Sequence, residues 1–124
     1  MHVNADGFAM PPDHAVDKAA ASLRLLADPT RMKILWALAQ GESNVGCLAD
    51  LAGVSPTGVS QHLAKLRLAG LVTTRREGTF VYYAVADPRV ARLLADAVDP
   101  AAHDDPDVAF AVDALAHATA PAGR

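Results

Sequence analysis

The sequence has a single cysteine, few aromatic residues and no long apolar run. One cysteine among 124 residues allows neither an internal disulfide nor a cysteine-rich zinc cluster. No apolar stretch approaches the roughly 20 residues that a helix needs to cross a membrane, so no membrane partner is expected. The first residues carry neither the basic region nor the apolar core of a secretory signal. A cytoplasmic location is therefore the default prediction.

Catalytic motifs are also missing. The sequence has no glycine-rich phosphate loop and no metalloprotease motif, and Cys47 has no partner that would activate it as a nucleophile. We therefore do not expect an enzyme. With 5% aromatic and 52% apolar residues, the chain has the size and composition of one folded domain with a core of Ala, Leu and Val.

The net charge of −3 is unevenly distributed along the chain. Residues 60–92 contain six basic residues against two acidic ones, a local balance of +4. Six acidic residues and no basic residue fall between Asp96 and Asp113. The acidic average therefore does not exclude a nucleic-acid partner, because a local basic patch can supply the attraction to phosphates.

The first seventy residues carry the signals of an arm and four helices. Residues 1–12 contain glycine and proline without apolar periodicity, and we expect a flexible arm there. The next segments combine apolar residues at helical spacing with capping residues, often followed by proline. The predicted helices run from Asp13, from Asp28-Pro29 to near Gly41, from Val45 (capped by Asn44) to Ala52, and from Ser55-Pro56 to Gly70.

The period of the apolar residues changes from 3.6 to 2 after Gly70. Residues 71–76 and 79–85 are rich in β-branched and aromatic residues. Glu77-Gly78 between them predicts a hairpin turn, because glycine tolerates a positive φ.

The remaining chain predicts a fifth helix from Asp87-Pro88 to Asp99-Pro100 and a sixth over Val108–Ala118. We divide the sequence into a flexible N-terminal arm (1–12), one domain (13–99), and an acidic linker with a C-terminal helix or tail (100–124).

The order of elements predicts a mainly α fold with a β-hairpin wing, an α+β class with the order α-α-α-α-β-β-α and a further helix at the end. The short third helix, the turn at Gly53-Val54-Ser55 and the longer fourth helix are typical of a helix-turn-helix. With a hairpin directly after it, this unit is a winged helix-turn-helix.

The fourth helix has the residue types that a DNA-reading helix needs at its N-terminal end. Such a helix presents small or polar groups to base edges and phosphates. Gln61 can offer a bidentate amide to adenine, and basic residues suit phosphates. Arg75 and Arg76 lead into the hairpin turn, where they can enter a minor groove or contact the phosphate backbone. The predicted DNA-binding residues are Ser55, Pro56, Thr57, Gly58, Ser60, Gln61, His62, Lys65, Arg67, Arg75 and Arg76.

These side chains also have a simpler interpretation. Ser, Thr and Gln often do no more than cover a solvent-exposed helix face. His62 borders the apolar face of the fourth helix, where it would anchor that helix to the core. We favour DNA binding because the turn, the cap, the apolar face and the basic hairpin tip occur together.

Three stretches of the chain are distinctive: LADPTRMKILWAL (26–38), DLAGVSPTGVSQHLAKLRLAGLV (50–72) and RREGTFVYYAV (75–85). They resemble the ArsR/SmtB family of winged-helix repressors, and the similarity covers about residues 16–103. The resemblance implies a homodimer whose interface is formed by the first and fifth helices. It also implies binding to an operator on double-stranded DNA, which dimer symmetry makes an inverted repeat, and release when an inducer binds.

Members of this family often sense metal ions, and the resemblance implies two kinds of site. The thiol type has a Cys-x-Cys pair in the third helix. Cys47 stands alone there, so arsenite or cadmium sensing is not expected, and Cys47 is interpreted as a small residue in or near the core. The second type binds metal between the paired fifth helices. Asp87 and His103 match its pattern, but Arg89 replaces its first histidine.

Further side chains can complete the second type of site, as in the nickel- and cobalt-sensing branch that this chain resembles most. The candidate ligands are His103, Asp87, His117 and His2, in that order, with His14, Asp99, Asp104, Asp105 and Asp107 as further donors. Imidazole and carboxylate suit nickel, cobalt or zinc ions, which would act as inducer and are not required for folding.

Two alternatives to metal sensing stay open. Asp87 is also a good helix cap, and histidines in arms and tails are commonly only solvated. A family member that has lost its metal site would respond to another signal, or would serve as a protein-interaction module.

Overall fold

The computed structural model describes residues 6–98. Within this range the elements are α1 Asp13–Leu26, α2 Pro29–Ala39, α3 Val45–Ala52, α4 Pro56–Leu68, β1 Val72–Glu77, β2 Phe80–Val85 and α5 Pro88–Val98. This order confirms the predicted α+β class and the winged helix-turn-helix arrangement. The predicted sixth helix and the first five residues of the predicted arm lie outside the described residues.

Side-chain caps fix the starts of three helices. The side-chain oxygens of Asp28, Asn44 and Ser55 each accept a hydrogen bond from the backbone N–H three residues later, at 3.0, 2.9 and 3.1 Å. Each bond satisfies a donor that has no partner within its helix. Asp13, the predicted cap of α1, is instead the first helical residue, and Pro12 precedes it without a side-chain cap.

The two strands form one antiparallel hairpin, with Val72 opposite Val85 and Glu77 opposite Phe80. The turn residues are therefore Gly78 and Thr79, one position after the predicted Glu77-Gly78. Gly78 has a φ of +61°, which suits the first central position of a type II′ turn. The positive φ at that position explains why the turn is centred there.

The hydrophobic core lies between α2, α3 and α4, and the base of the hairpin closes it. Burying this apolar surface supplies most of the driving force for folding. α1 contributes only Leu26 to the buried set, and α5 contributes only Leu94. The buried residues are Leu26, Ile34, Leu35, Leu38, Leu48, Ala49, Ala52, Val59, Leu63, Leu66, Leu71, Val72 and Leu94.

The apolar sides of α1 and α5 are left largely uncovered in the single chain. Leu23 is 51% exposed and Leu93 is 45% exposed. Both side chains line a groove of about 760 Å³ between the two helices. An apolar groove between two amphipathic helices is a surface that a partner can cover. None of the described helices is both long and apolar enough to cross a membrane.

Candidate nucleic-acid interface

The turn between α3 and α4 sets the direction of the second helix. α3 ends at Gly53, whose φ of +70° is a left-handed conformation that glycine adopts without steric cost. The N–H groups of Gly53 and Val54 donate to the carbonyl of Ala49 at 2.9 and 3.2 Å. Ser55 then caps α4. Since both helix ends are hydrogen-bonded within this short turn, the geometry is that of a helix-turn-helix.

Three fully buried side chains decide which side of α4 faces the core. Val59, Leu63 and Leu66 each have no exposed surface. They recur at helical spacing, so the residues between them are held on the opposite side, toward solvent. The predicted apolar face of this helix is confirmed.

A row of polar residues runs along the exposed side of α4. Thr57, Gln61 and Lys65 are spaced four residues apart and therefore lie one above the other. All three are exposed, and their side chains make no hydrogen bond or ion pair within residues 6–98. Their donors and acceptors are free for base edges and phosphates. The structure also exposes Pro56, Ser60 and Arg67 on this helix.

Ser55 and Gly58, two other predicted DNA-binding residues, shape the start of α4. The Ser55 hydroxyl accepts the N–H of Gly58 at 3.1 Å and is therefore already used as a cap. A Cβ added at Gly58 would lie 3.3 Å from that hydroxyl oxygen, which is a tight contact. A glycine at this position keeps the cap undisturbed.

His62 points toward a neighbouring helix and away from the exposed row. It is half-buried, and its Nδ1 lies 3.5 Å from Nη1 of Arg31. Arg31 in turn donates from Nε to the carbonyl of Leu25 at 2.6 Å. This contact connects α4 to the junction of α1 and α2, and it favours the anchoring interpretation of His62.

The same junction holds a carboxylate whose protonation is linked to folding. The backbone N–H of Arg31 donates to Asp28, and this bond together with the Arg31 charge holds the pKa of Asp28 below its ordinary value of 3.8. A carboxylate at a helix N-terminus also interacts favourably with the helix dipole.

Replacing Asp28 by Ala should lower the free energy of unfolding by about 1 kcal/mol at neutral pH, the usual cost of losing a cap. Because the pKa of Asp28 is lower in the folded than in the unfolded chain, its charge stabilises the fold fully above 3.8. That contribution disappears as the pH falls through the folded-state pKa. Urea unfolding between about pH 3 and 7 measures it.

The matched control for this prediction is Asp28→Asn, which keeps a capping oxygen without the charge. Asn caps about as well as Asp, so most of the stability at neutral pH should remain while the pH dependence is reduced. The same pH profile for wild type, Asp28→Ala and Asp28→Asn would show that the carboxylate is not linked to folding.

Arg75 is held by two carboxylates of its own chain. Its Nη2 and Nε donate to the two carboxylate oxygens of Glu42 at 2.5 and 3.2 Å, and its Nη1 donates to Glu77 at 2.7 Å. These bonds hold the pKa of Glu42 below its usual range and raise the pKa of Arg75. The guanidinium also lies 4.9 Å from the ring centroid of Tyr82, within cation–π range. The positive charge predicted to contact DNA is thus largely compensated.

The contacts of Arg75 attach the hairpin to the loop between α2 and α3. Next to Glu42 in that loop, Ser43 exchanges two backbone hydrogen bonds with Tyr83 of β2, at 3.0 and 2.8 Å. An exposed ion pair contributes little to stability, but together with this bridge it fixes where the wing lies. Glu42 was not among the predicted site residues.

Arg76 is the uncompensated cation of the hairpin. It follows Arg75 in β1, and successive strand residues point to opposite faces of a sheet. Arg76 is exposed and forms no ion pair within the described range. Of the two predicted hairpin arginines, the structure leaves only this one available for a phosphate.

Asp87, the predicted metal ligand at the start of α5, is bound to Arg89. Its carboxylate accepts the backbone N–H of Arg89 at 2.9 Å and forms an ion pair with its guanidinium at 2.8 Å. The Arg89 side chain holds the pKa of Asp87 below its usual range. A metal ion at this carboxylate would compete with the guanidinium.

Most of the other predicted metal ligands fall outside residues 6–98. His103, His117 and His2 lie outside the described residues, and His14 is exposed in the first turn of α1. Among residues 6–98, no three His, Cys, Asp or Glu side chains come together as a metal site. The interpretation of Cys47 as a core residue is wrong: it is exposed, because the buried side of α3 is formed by Leu48, Ala49 and Ala52.

The short α3, the tight turn, the exposed row on α4 and the hairpin, whose Arg76 is unpaired within residues 6–98, define a winged helix-turn-helix protein of the DNA-binding class. The family model described as "Bacterial regulatory protein, arsR family" matches residues 28–74. The HTH-type transcriptional regulator KmtR of Mycobacterium tuberculosis is 45% identical over 97 residues, which are 78% of this chain and 75% of that protein. The chain therefore belongs to the ArsR family, whose members are transcriptional regulators and not enzymes.

The chain is also similar to a second curated regulator and to a solved structure. A probable mercury resistance operon repressor of Streptomyces lividans is 44% identical over 78 residues, covering 63% of this chain and 62% of that protein. The solution structure of a homodimeric winged helix-turn-helix DNA-binding domain from Mycobacterium bovis is 37% identical, with a TM-score of 0.67. The match covers 80% of this chain and 92% of that domain.

Proposed function

We propose that this regulator is a repressor that binds an inverted-repeat operator as a homodimer and leaves the operator when an inducer binds. The observation that carries the proposal is the row of Thr57, Gln61 and Lys65, which are exposed and have no hydrogen-bond or ion-pair partner among residues 6–98. The opposite side of the same helix is buried in the core. Such a row fits the major groove, where amide and ammonium groups meet base edges and phosphates. Since operators lie in the cytoplasm, the protein acts there.

The uncovered apolar sides of α1 and α5 support dimerisation through these two helices. Leu23 and Leu93 line one groove, and a second copy of the same surface would cover it around a twofold axis. The solved relative from Mycobacterium bovis is homodimeric. A twofold dimer places its two α4 helices in successive major grooves, so the half-sites would be about 10 bp apart or a multiple of that spacing.

An inducer acts on such a dimer through its different affinities for two geometries. If it binds more tightly to the arrangement whose α4 helices no longer match the half-site spacing, operator affinity falls by the same coupling free energy, typically about 1–3 kcal/mol. A ligand that bound both arrangements equally would not release the DNA.

Titration of the DNA upstream of the protein's own gene tests this function. Gel-shift titrations at low salt should show tighter binding to that DNA than to random DNA, and sedimentation equilibrium should give a dimer. Equal affinity for both DNA fragments would rule out an operator at its own promoter, and a monomer at working concentration would rule out the dimer. A protein-interaction module would show no sequence preference.

The two hairpin arginines should differ in their effect on DNA binding. Arg76→Ala should weaken binding to all sequences and reduce the slope of log K against log salt by about one per subunit, because an uncompensated cation is lost. Arg75→Ala should change that slope less, because the Arg75 charge is already paired with Glu42 and Glu77. Fluorescence anisotropy at several salt concentrations measures both slopes. Equal slopes for the two variants would mean that Arg75 exchanges its carboxylates for phosphates on DNA.

As the inducer we propose a nickel, cobalt or zinc ion, with His103, Asp87, His117 and His2 as ligands. The donor chemistry supports this, since imidazole and carboxylate suit these ions. A metal ion at Asp87 would compete with Arg89 for the carboxylate, so we expect the Asp87–Arg89 ion pair to weaken metal binding.

Metal titration of the full-length protein separates metal sensing from its alternative. Wild type should bind one of these ions and lose operator affinity, while His103→Ala should lose both effects. Gln40→Ala, which changes an exposed side chain that is not a candidate ligand, is the control. If no ion changes DNA affinity, the protein is a regulator of this family that responds to another signal, as the Asp87–Arg89 ion pair would favour.

A further inference from the structure

A second apolar groove lies on the side of the domain formed by α2, α3 and the end of α5. It has a volume of about 560 Å³. Its apolar wall is formed by Trp36, Leu51 and Val98, which are 40%, 70% and 41% exposed. Trp36, Leu51 and Val98 therefore form an apolar stretch of surface that another segment of chain can cover.

We propose that this Trp36 groove is the docking site of the chain's own C-terminal segment, residues 108–118. Val98, the last residue of α5, is itself part of the groove wall. Because residue 99 is bonded to Val98, the C-terminal part of the chain starts beside this groove. Nine residues, 99–107, separate Val98 from Val108 and can span up to about 30 Å when extended.

The sequence of the segment matches an apolar groove. Over 108–118 the apolar residues Val108, Ala111, Val112 and Leu115 recur at the spacing i, i+3, i+4, i+7 and share one side of the predicted helix. Phe110 falls on the other side, together with Asp113 and His117. A helix of this kind buries its apolar side when it lies in a hydrophobic groove.

The charges at the groove complement those of the linker. Glu42 lies at the rim but is paired with Arg75, which leaves Lys33 as the rim charge without an ion pair among residues 6–98. The linker carries Asp99, Asp104, Asp105 and Asp107 and no basic residue. Opposite charges at the rim favour the acidic linker passing over it.

Covalent attachment makes a modest affinity sufficient. A short tether keeps the segment at an effective concentration of about a millimolar or more, so a weak contact is occupied most of the time. A docked segment would also lie next to the contacts that hold the hairpin. Glu42 and Ser43 line the groove, and they contact Arg75 and Tyr83 of the hairpin.

The only tryptophan of the protein, Trp36, reports directly on this groove. In the full-length chain, Val112→Asp with Leu115→Asp should shift the Trp36 emission to the red. It should also raise the acrylamide quenching constant roughly twofold, because a docked segment would cover the exposed part of the ring. The matched control is Phe110→Asp with Ala114→Asp, which adds the same charge on the other side of the predicted helix. The control should leave both readings as in wild type.

Two outcomes would overturn the proposal. Equal quenching in wild type and in both variants would mean that the segment does not cover Trp36. Quenching that depends on protein concentration in wild type would assign the groove to a second copy. A disulfide formed between Leu51→Cys and Leu115→Cys in a Cys47→Ser background should run as a monomer on a non-reducing gel. A cross-linked dimer in its place would also contradict docking within one chain.

Discussion

Leu63→Ala is expected to lower the free energy of unfolding by about 2–5 kcal/mol. Leu63 has no exposed surface and lies at the centre of the buried side of α4. Truncating it removes apolar contacts and leaves a cavity that the surrounding helices can only partly fill. Urea unfolding followed by circular dichroism measures the loss, and the dependence on urea should keep its slope if the unfolded state is unchanged.

Leu68→Ala is the matched control for this prediction. The same substitution is then made on the same helix, at a side chain that is 90% exposed, and it should change stability by no more than about 0.5 kcal/mol. Comparable losses at Leu63 and Leu68 would mean that the buried side of α4 has been assigned wrongly. The exposed row that carries the proposed DNA contacts would then be misplaced as well.

The starts of α2, α3 and α4 could be predicted because their signals act within a few residues. A capping side chain at Asp28, Asn44 or Ser55 bonds to the backbone three positions later, and this needs no information about the rest of the fold. The turn of the hairpin could be predicted only to within one residue. Glycine suits more than one turn position, and the pairing of Glu77 with Phe80 decides between them.

The apolar pattern of a helix does not by itself say whether its apolar side is buried within one chain. α1 and α4 both have apolar residues at helical spacing, yet α4 buries three of them and α1 buries only Leu26. The difference depends on tertiary packing, which local sequence does not encode. The uncovered sides of α1 and α5 became evident only from the structure, and they are what supports a partner surface there.

The part of the candidate site on α4 could be predicted, because the period of its buried residues determines which side faces out. The ion pair between Arg75 and Glu42 could not be predicted, because the two residues are 33 positions apart and no local pattern connects them. The contact of His62 with Arg31 joins residues 31 positions apart, and no sequence pattern predicts it either. Ion pairs between distant segments depend on the fold as a whole, so sequence patterns identified the basic residues but not which of them are free.

Gln61→Ala is expected to lower operator affinity by about 1–3 kcal/mol for each subunit, the usual value of a bidentate amide contact to a base. In a homodimer both half-sites lose the contact, so the total loss is larger than that of a single site. The affinity for random DNA should change little, because Gln61 carries no charge. Anisotropy titrations with operator and random DNA measure both affinities. Gln40→Ala, an exposed glutamine at the end of α2, is the control that should leave both unchanged.

The neighbouring variant Lys65→Ala separates sequence reading from electrostatic attraction. Lys65 lies one helical turn after Gln61 in the same exposed row. Losing its charge should weaken binding to every sequence and reduce the salt slope by about one per subunit, so its effect should fade at high salt. The loss caused by Gln61→Ala should persist at every salt concentration, because it comes from an uncharged contact to a base. If both variants lose affinity in parallel for operator and random DNA, then α4 binds only the phosphate backbone, and the sequence must be read by another element.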